Sequence, residues 1–108
     1  MKKGAVVLVR GRESPASKSR PCVIVQRTST LESAARIVAC PLTTVLRGPN
    51  GGRPHVNPSA ENGLLQPSEI EFDWIHGFSP KRIVRVLGQM EPPIMDQLDV
   101  VLHRWLDL

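Results

Sequence analysis

Tyrosine is absent, and Phe72, Phe78, Trp74 and Trp105 are the only aromatic side chains besides histidine in 108 residues. A nucleic-acid module that stacks bases on paired sheet aromatics is therefore disfavoured. Cysteine is equally scarce. Cys22 and Cys40 sit inside apolar runs, form no Cys-x-x-Cys spacing, and read as small core hydrophobes. With His55, His76 and His103 scattered, no metal site and no cofactor is expected. Long hydrophobic runs are missing too: nothing approaches the roughly 20 apolar residues that span a bilayer. Behind Lys2 and Lys3 the apolar stretch stops at Arg10 after five residues, shorter than the apolar core of a secretion signal. A cytoplasmic protein without a membrane partner is the expectation. Internal repeats and low-complexity tracts are absent as well, and the length suits one domain over residues 1–108.

Positive charge is what the chain has in excess, with a formal net charge of +4. Arg10, Arg12, Lys18 and Arg20 cluster in one segment, and Lys81, Arg82 and Arg85 in another. Such a balance permits an anionic partner, either nucleic acid or an acidic protein.

The pattern of apolar residues is mostly that of short strands. Val6–Val9 is a continuous apolar run, as in a strand buried on both faces. Gly11–Ser19 reads as a loop, and Pro21–Gln26 and Arg36–Pro41 as β-branched second and third strands. Between them Thr28–Ala35 is a polar turn or a single helical turn with Thr30 as its cap. Arg47–Pro54 is a basic turn-forming loop, followed by a short edge strand at His55–Asn57 bounded by prolines. Glu69–Ile75 alternates polar and apolar residues like a half-buried strand, and Lys81–Leu87 forms another. The period then changes. Ile94, Leu98, Val101, Leu102 and Trp105 line one face of a helix whose first turn accepts Pro92 and Pro93. The expected fold is therefore mainly β with some α (α+β): a small, strongly curved sheet with a C-terminal helix packed on it.

Several short motifs recur in an order that resembles the MazF/PemK endoribonuclease toxins of bacterial toxin–antitoxin pairs. Lys3-Gly4 followed by Ala5–Val9 is similar to that family's opening strand, and Ser19-Arg20-Pro21 followed by Cys22–Gln26 to its Arg-Pro second strand. Ile37–Thr44 resembles the third strand with its Pro-x-Thr-Thr end. Gly63–Ser68, Asp73-Trp74-Ile75, and Lys81-Arg82-Ile83 with Gly88 resemble the later signature. Each motif alone is weak; together they cover nearly the whole chain in the family's order. The resemblance implies an antiparallel, SH3-like barrel of the CcdB/MazF type, a homodimer, and neutralisation by a cognate antitoxin through that partner's acidic or apolar C-terminal segment. It implies metal-free cleavage of single-stranded RNA, in which the substrate's own 2′-hydroxyl attacks the adjacent phosphorus.

On that resemblance Arg20 is the phosphate clamp and proton donor, because a guanidinium fork grips two phosphate oxygens and keeps its charge at neutral pH. Thr43 is the hydroxyl donor to the same phosphate, with Thr44 the alternative one residue on. Several members carry a glutamate five residues before the arginine; here that position is Pro15, and Glu13 is the nearby carboxylate. The proton acceptor is thus unassigned between Glu13 and some other group. Arg10, Arg12, Lys18, Arg47 and Arg53 are expected along the RNA path. Trp74 stands where members often have glutamine, and is open to two roles, stacking on an unpaired base or packing. His55 and His76 show no spacing that supports an acid–base pair. Two rival readings stay in play. Trp105 near the C-terminus is compatible with a CcdB-like gyrase poison on the same fold. The Pro15 and Trp74 departures are compatible with a catalytically inactive RNA-binding member.

Overall fold

The computed structural model describes residues 1–11 and 18–108. They form strands Ala5–Val9 (β1), Arg20–Ile24 (β2), Ile37–Thr43 (β3), His55–Val56 (β4), Ser68–Ile70 (β5), His76–Phe78 (β6) and Ile83–Gln89 (β7), then helix Pro92–Leu106 (α1). All pairings are antiparallel, in the order β4-β5-β3-β2-β1-β7, with β6 also on β3. The sheet curves into a half-barrel because β1 and β7 slip register twice, between Val6 and Val7 and between Leu8 and Val9. Such irregularities bend a strand and increase its twist.

β1 is buried on both faces, as its unbroken apolar run requires: Val6 and Val7 point opposite ways and both are fully buried. The register Val6–Val23–Cys40 crosses three strands and feeds one core cluster, with Leu42, Ile70, Met90, Leu98 and Leu102. Val7 and its partner Cys22 feed a second cluster, with Ile24, Ile37, Ala39 and Phe78. Both cysteines are free and buried. Burial pushes the Cys22 thiol up to about 11 and the Cys40 thiol to about 12, as for inert core residues.

α1 covers the first cluster with the face read from the sequence. Leu98 and Leu102 are buried and Ile94 and Val101 pack beside them, but Trp105 is 58% exposed, touching Phe72 edge-on at 5.6 Å. The Gly63 and Gly88 of the late motif are explained by close approach. The turn before residue 64 lies directly on β7, and a Cβ at Gly63 would fall 2.1 Å from the Leu87 carbonyl oxygen. Buried Asn62 ties the same turn together: its Oδ1 accepts from the Ser59 and Leu64 amides, and its Nδ2 donates to the Asn57 carbonyl and Glu91.

Three expectations are corrected. Glu69–Ile75 is not one half-buried strand. β5 is buried throughout, Phe72–Trp74 is a 3₁₀ turn, and a second strand, β6, follows. The alternation misleads because the acidic residues here face internal arginines and backbone amides, not solvent; Glu69 accepts from the Arg47 and Gly48 amides at 3.0 and 3.1 Å. The last strand starts at Ile83 because Pro80–Arg82 forms its own 3₁₀ turn, with Ser79 Oγ accepting from the Lys81 amide. Thr30 is not a cap. It ends the 3₁₀ turn Thr28–Thr30, and its hydroxyl donates to the Arg27 carbonyl.

Candidate functional site

The break at Glu71 shapes the site. β3 pairs with β6 through Ile37–Ala39 and with β5 through Leu42–Thr43, so the chain must turn away and return between them. Within that detour the Glu71 amide donates to the Pro41 carbonyl at 2.8 Å. Cys22 pairs with Pro41 in the β2–β3 ladder; two residues further along each strand lie Arg20 and Thr43, on that pair's face because strand side chains alternate. Glu71 therefore meets Arg20, Oε1 to Nη2, at 2.8 Å.

Arg20 stands at a small cleft of about 100 Å³, lined with Arg10, Lys18, His76 and Arg82 and backed by buried Cys22 and Pro41. Arg82 donates from Nε and Nη2 to the Arg10 carbonyl at 2.9 and 2.7 Å, and Arg10 donates to the Lys81 carbonyl at 3.4 Å. Backbone carbonyls thus hold these two guanidinium groups without neutralising them. With Cys22 a neutral thiol, the cleft carries several positive charges, and an anion would find donors already in place.

Behind it lies a different kind of charge cluster. Arg53 is buried, its side chain only 4% exposed, and it grips Asp73 with two parallel hydrogen bonds of 3.1 and 3.0 Å. The same guanidinium reaches Glu71 at 3.7 Å, and Arg47 approaches Asp73 at 3.9 Å. The Arg53 hydrogen bonds hold the Asp73 carboxyl below the usual carboxylate range, and Asp73 in turn raises Arg53. Arg20, Glu71, Arg53, Asp73 and Arg47 form a continuous chain of alternating charge, exposed at both ends and buried in the middle.

The sequence-predicted residues divide accordingly. Arg10, Lys18 and Arg20 come together at the cleft. Thr43 is half-buried at the end of β3, and its Oγ1 accepts from the Val45 amide at 3.1 Å, which leaves the hydroxyl hydrogen free to donate. Thr44 is exposed and lines a separate groove. Arg47 is an exposed loop residue at the far end of the charge chain. Arg53, expected along the RNA path, is buried and paired with Asp73 and Glu71. Trp74 is 65% exposed, so core packing within the chain is not its role. Arg12 and Glu13 lie outside the described residues. Among the described residues, no group of three or more His, Cys, Asp or Glu is placed to hold a metal ion.

Residues 2–106 match the family model described as PemK-like, MazF-like toxin of type II toxin–antitoxin systems. The chain belongs to this toxin family. The toxin's fold agrees with solved structures. The Mycobacterium tuberculosis toxin MazF-mt6 superposes with a TM-score of 0.80 at 23% identity, over 96% of this chain and 97% of that one. A mycobacterial endoribonuclease in complex with its cognate antitoxin gives 0.78 at 21% identity, over 100% and 94%. A MazE–MazF structure from Deinococcus radiodurans gives 0.80 at 15%, over 100% and 97%. Compared by sequence with curated proteins, the chain finds no significant match.

The sequence did not place Arg82 and His76 at this toxin's cleft, nor Glu71 beside Arg20. Arg82 carried a signal, as part of the second basic cluster. Glu71 carried none, and His76 was weighed as an acid or base but set aside for want of a supportive spacing, because only the detour between β5 and β6 brings them beside β2.

Proposed function

We propose that this toxin is a sequence-selective, metal-independent endoribonuclease that cuts single-stranded RNA. One observation carries the reading: Arg20, 55% exposed yet held by Glu71 at 2.8 Å, presents its guanidinium at a cationic cleft. In this reaction the 2′-hydroxyl attacks phosphorus, the 5′-oxygen leaves, and a 2′,3′-cyclic phosphate remains. The chemistry needs fixed donors where negative charge develops on the phosphoryl oxygens. Arg20 supplies two such donors and Thr43 a third. Arg10, Lys18 and Arg82 attract the flanking backbone, and Trp74 offers an exposed ring to an unpaired base.

The protein works as a cytoplasmic homodimer with RNA crossing the interface, and an antitoxin neutralises it. Two of the similar solved structures, from a mycobacterium and from Deinococcus radiodurans, are complexes of toxin with antitoxin. A groove of about 450 Å³ lined by Leu8, Pro21, Leu65 and Leu87, with Lys18 and Arg85 beside them, suits an acidic and apolar antitoxin segment.

The test is cleavage of a mixed-sequence single-stranded transcript in EDTA. Wild type should leave 2′,3′-cyclic phosphate ends, and Arg20→Ala should lose the activity while unfolding at the same temperature. The exposure of Trp105 favours a second reading, a gyrase poison. That reading wins if wild type spares RNA but traps gyrase on DNA. A protein that binds RNA without producing such ends would instead be an inactive member.

A further inference from the structure

The RNA-cutting reading leaves one chemical role unfilled, the group that removes the 2′-hydroxyl proton. We propose that His76 is that proton acceptor, an inference that rests on the reading just given. Elimination points the same way. Among the described residues at the cleft, Arg10, Lys18, Arg20 and Arg82 are donors with no lone pair to offer. Cys22 is a buried thiol, and Glu71 is committed to Arg20 at 2.8 Å and Arg53 at 3.7 Å. His76, on β6, is the side chain among the described cleft residues whose ring can both take a proton and return it.

Its ring is held in a usable form. Nδ1 lies 3.3 Å from the Trp74 carbonyl oxygen, and a carbonyl only accepts, so the hydrogen bond requires the proton on Nδ1. The neutral ring then keeps its lone pair on Nε2. The ring also rests against that of Phe78, centroids 5.7 Å apart, and Phe78 is itself fully buried. An exposed imidazole with its tautomer set by one neighbour and its tilt by another is pre-positioned, which general-base catalysis demands. The charged groups around it are Arg10 after β1, Lys18 before β2 and Arg20 at its start, Arg82 before β7, and Glu71 across from Arg20.

The step balances without a co-reactant other than water. Nε2 takes the 2′-hydroxyl proton while the oxygen's electron pair forms the bond to phosphorus. The bond from phosphorus to the 5′-oxygen breaks with its pair going to that oxygen, which takes a proton from water. The imidazolium then gives its proton back to solvent.

The experiment measures cleavage of a mixed-sequence transcript from pH 5 to 9 by wild type, Arg20→Ala, His76→Gln and His76→Ala, the last with and without added imidazole. His76→Gln should cut about 10²–10⁴-fold more slowly, with KM little changed and the thermal transition preserved. The wild-type rate should rise with pH and level off, and His76→Gln should lose that rise. Imidazole should restore part of the His76→Ala rate. If His76→Ala fails to fold, His76→Gly with imidazole takes its place. The proposal is overturned if His76→Gln cuts at the wild-type rate. It is equally overturned if the rate falls but the pH profile keeps its shape and imidazole rescues nothing. A wild type that does not cut RNA sinks both readings. Wild-type cutting lost in Arg20→Ala but kept in His76→Gln sinks this one alone.

Discussion

Arg20 and Arg53 share one carboxylate and have opposite fates. Glu71 pairs with Arg20 at 2.8 Å and reaches Arg53 at 3.7 Å. Arg20 begins a strand at the rim of the sheet with its side chain 55% exposed; Arg53 ends a loop that folds under Asp73, with its side chain 4% exposed. Both look alike in sequence, an arginine immediately followed by proline, in a basic neighbourhood. What separates them is the number of acceptors each meets. Arg53 meets two carboxylates with its side chain 4% exposed, so its charge is spent inside the protein. Among the described residues Arg20 meets one, through Nη2, and its side chain stays 55% exposed. A buried guanidinium is held for the structure it supports, whereas a tethered exposed one is available for chemistry.

The sharpest way to break this contrast is to remove the buried partner. Arg53→Met should destabilise the protein by about 3–5 kcal/mol, because Asp73 and Glu71 are left close together without their cation. Denaturant unfolding would show it, and an unchanged midpoint would mean that the cluster is not structural. Arg20→Ala should do the reverse. Its unfolding should stay near wild type, while cleavage falls about 10²–10³-fold, the loss expected for one preorganised donor group. Glu71→Gln tests the link between the two arginines. Cleavage should drop roughly tenfold, about 1.4 kcal/mol of barrier, as Arg20 loses its tether. The same change placed in the Arg20→Ala background should cost almost nothing more, since coupled residues are not additive.

The smallest expected effect is that of acid. Arg53 holds the Asp73 carboxyl below its ordinary range. The stabilisation is therefore complete above the unfolded value, about pH 4, and is lost as pH falls through the lower folded value. Thermal transitions from pH 6 to pH 3 should fall less steeply in Asp73→Asn than in wild type. Parallel curves would show that Asp73 is not the group responsible.

The elements that were legible in the sequence share one property, a burial pattern decided locally. The run from Ala5 to Val9, the β-branched stretches around Cys22 and Cys40, and the period of Ile94, Leu98 and Leu102 each report their own surroundings. The stretch from Glu69 to Trp74 could not be read this way. A carboxylate facing a buried guanidinium and one facing water give the same letter in an alternating pattern. The burial of Arg53 was hidden for the same reason, because a basic loop residue reveals nothing about the acids beneath it. Exposure likewise needed the structure: Trp74 was open to base stacking or to packing, and the 3₁₀ turn that carries it leaves the residue 65% exposed.

By itself, then, the sequence determined the strand-rich plan, the C-terminal helix and the toxin family, since each depends on residues adjacent in the chain or on motifs in fixed order. Only the tertiary structure decided which arginine is spent and which is left, and which groups stand beside Arg20. β3 is long enough to pair with β5 at one end and β6 at the other, and the chain between them must make a detour. That detour places Glu71 and His76 beside a strand some fifty residues away. Long-range pairing of this kind leaves no periodic trace in the residues it joins.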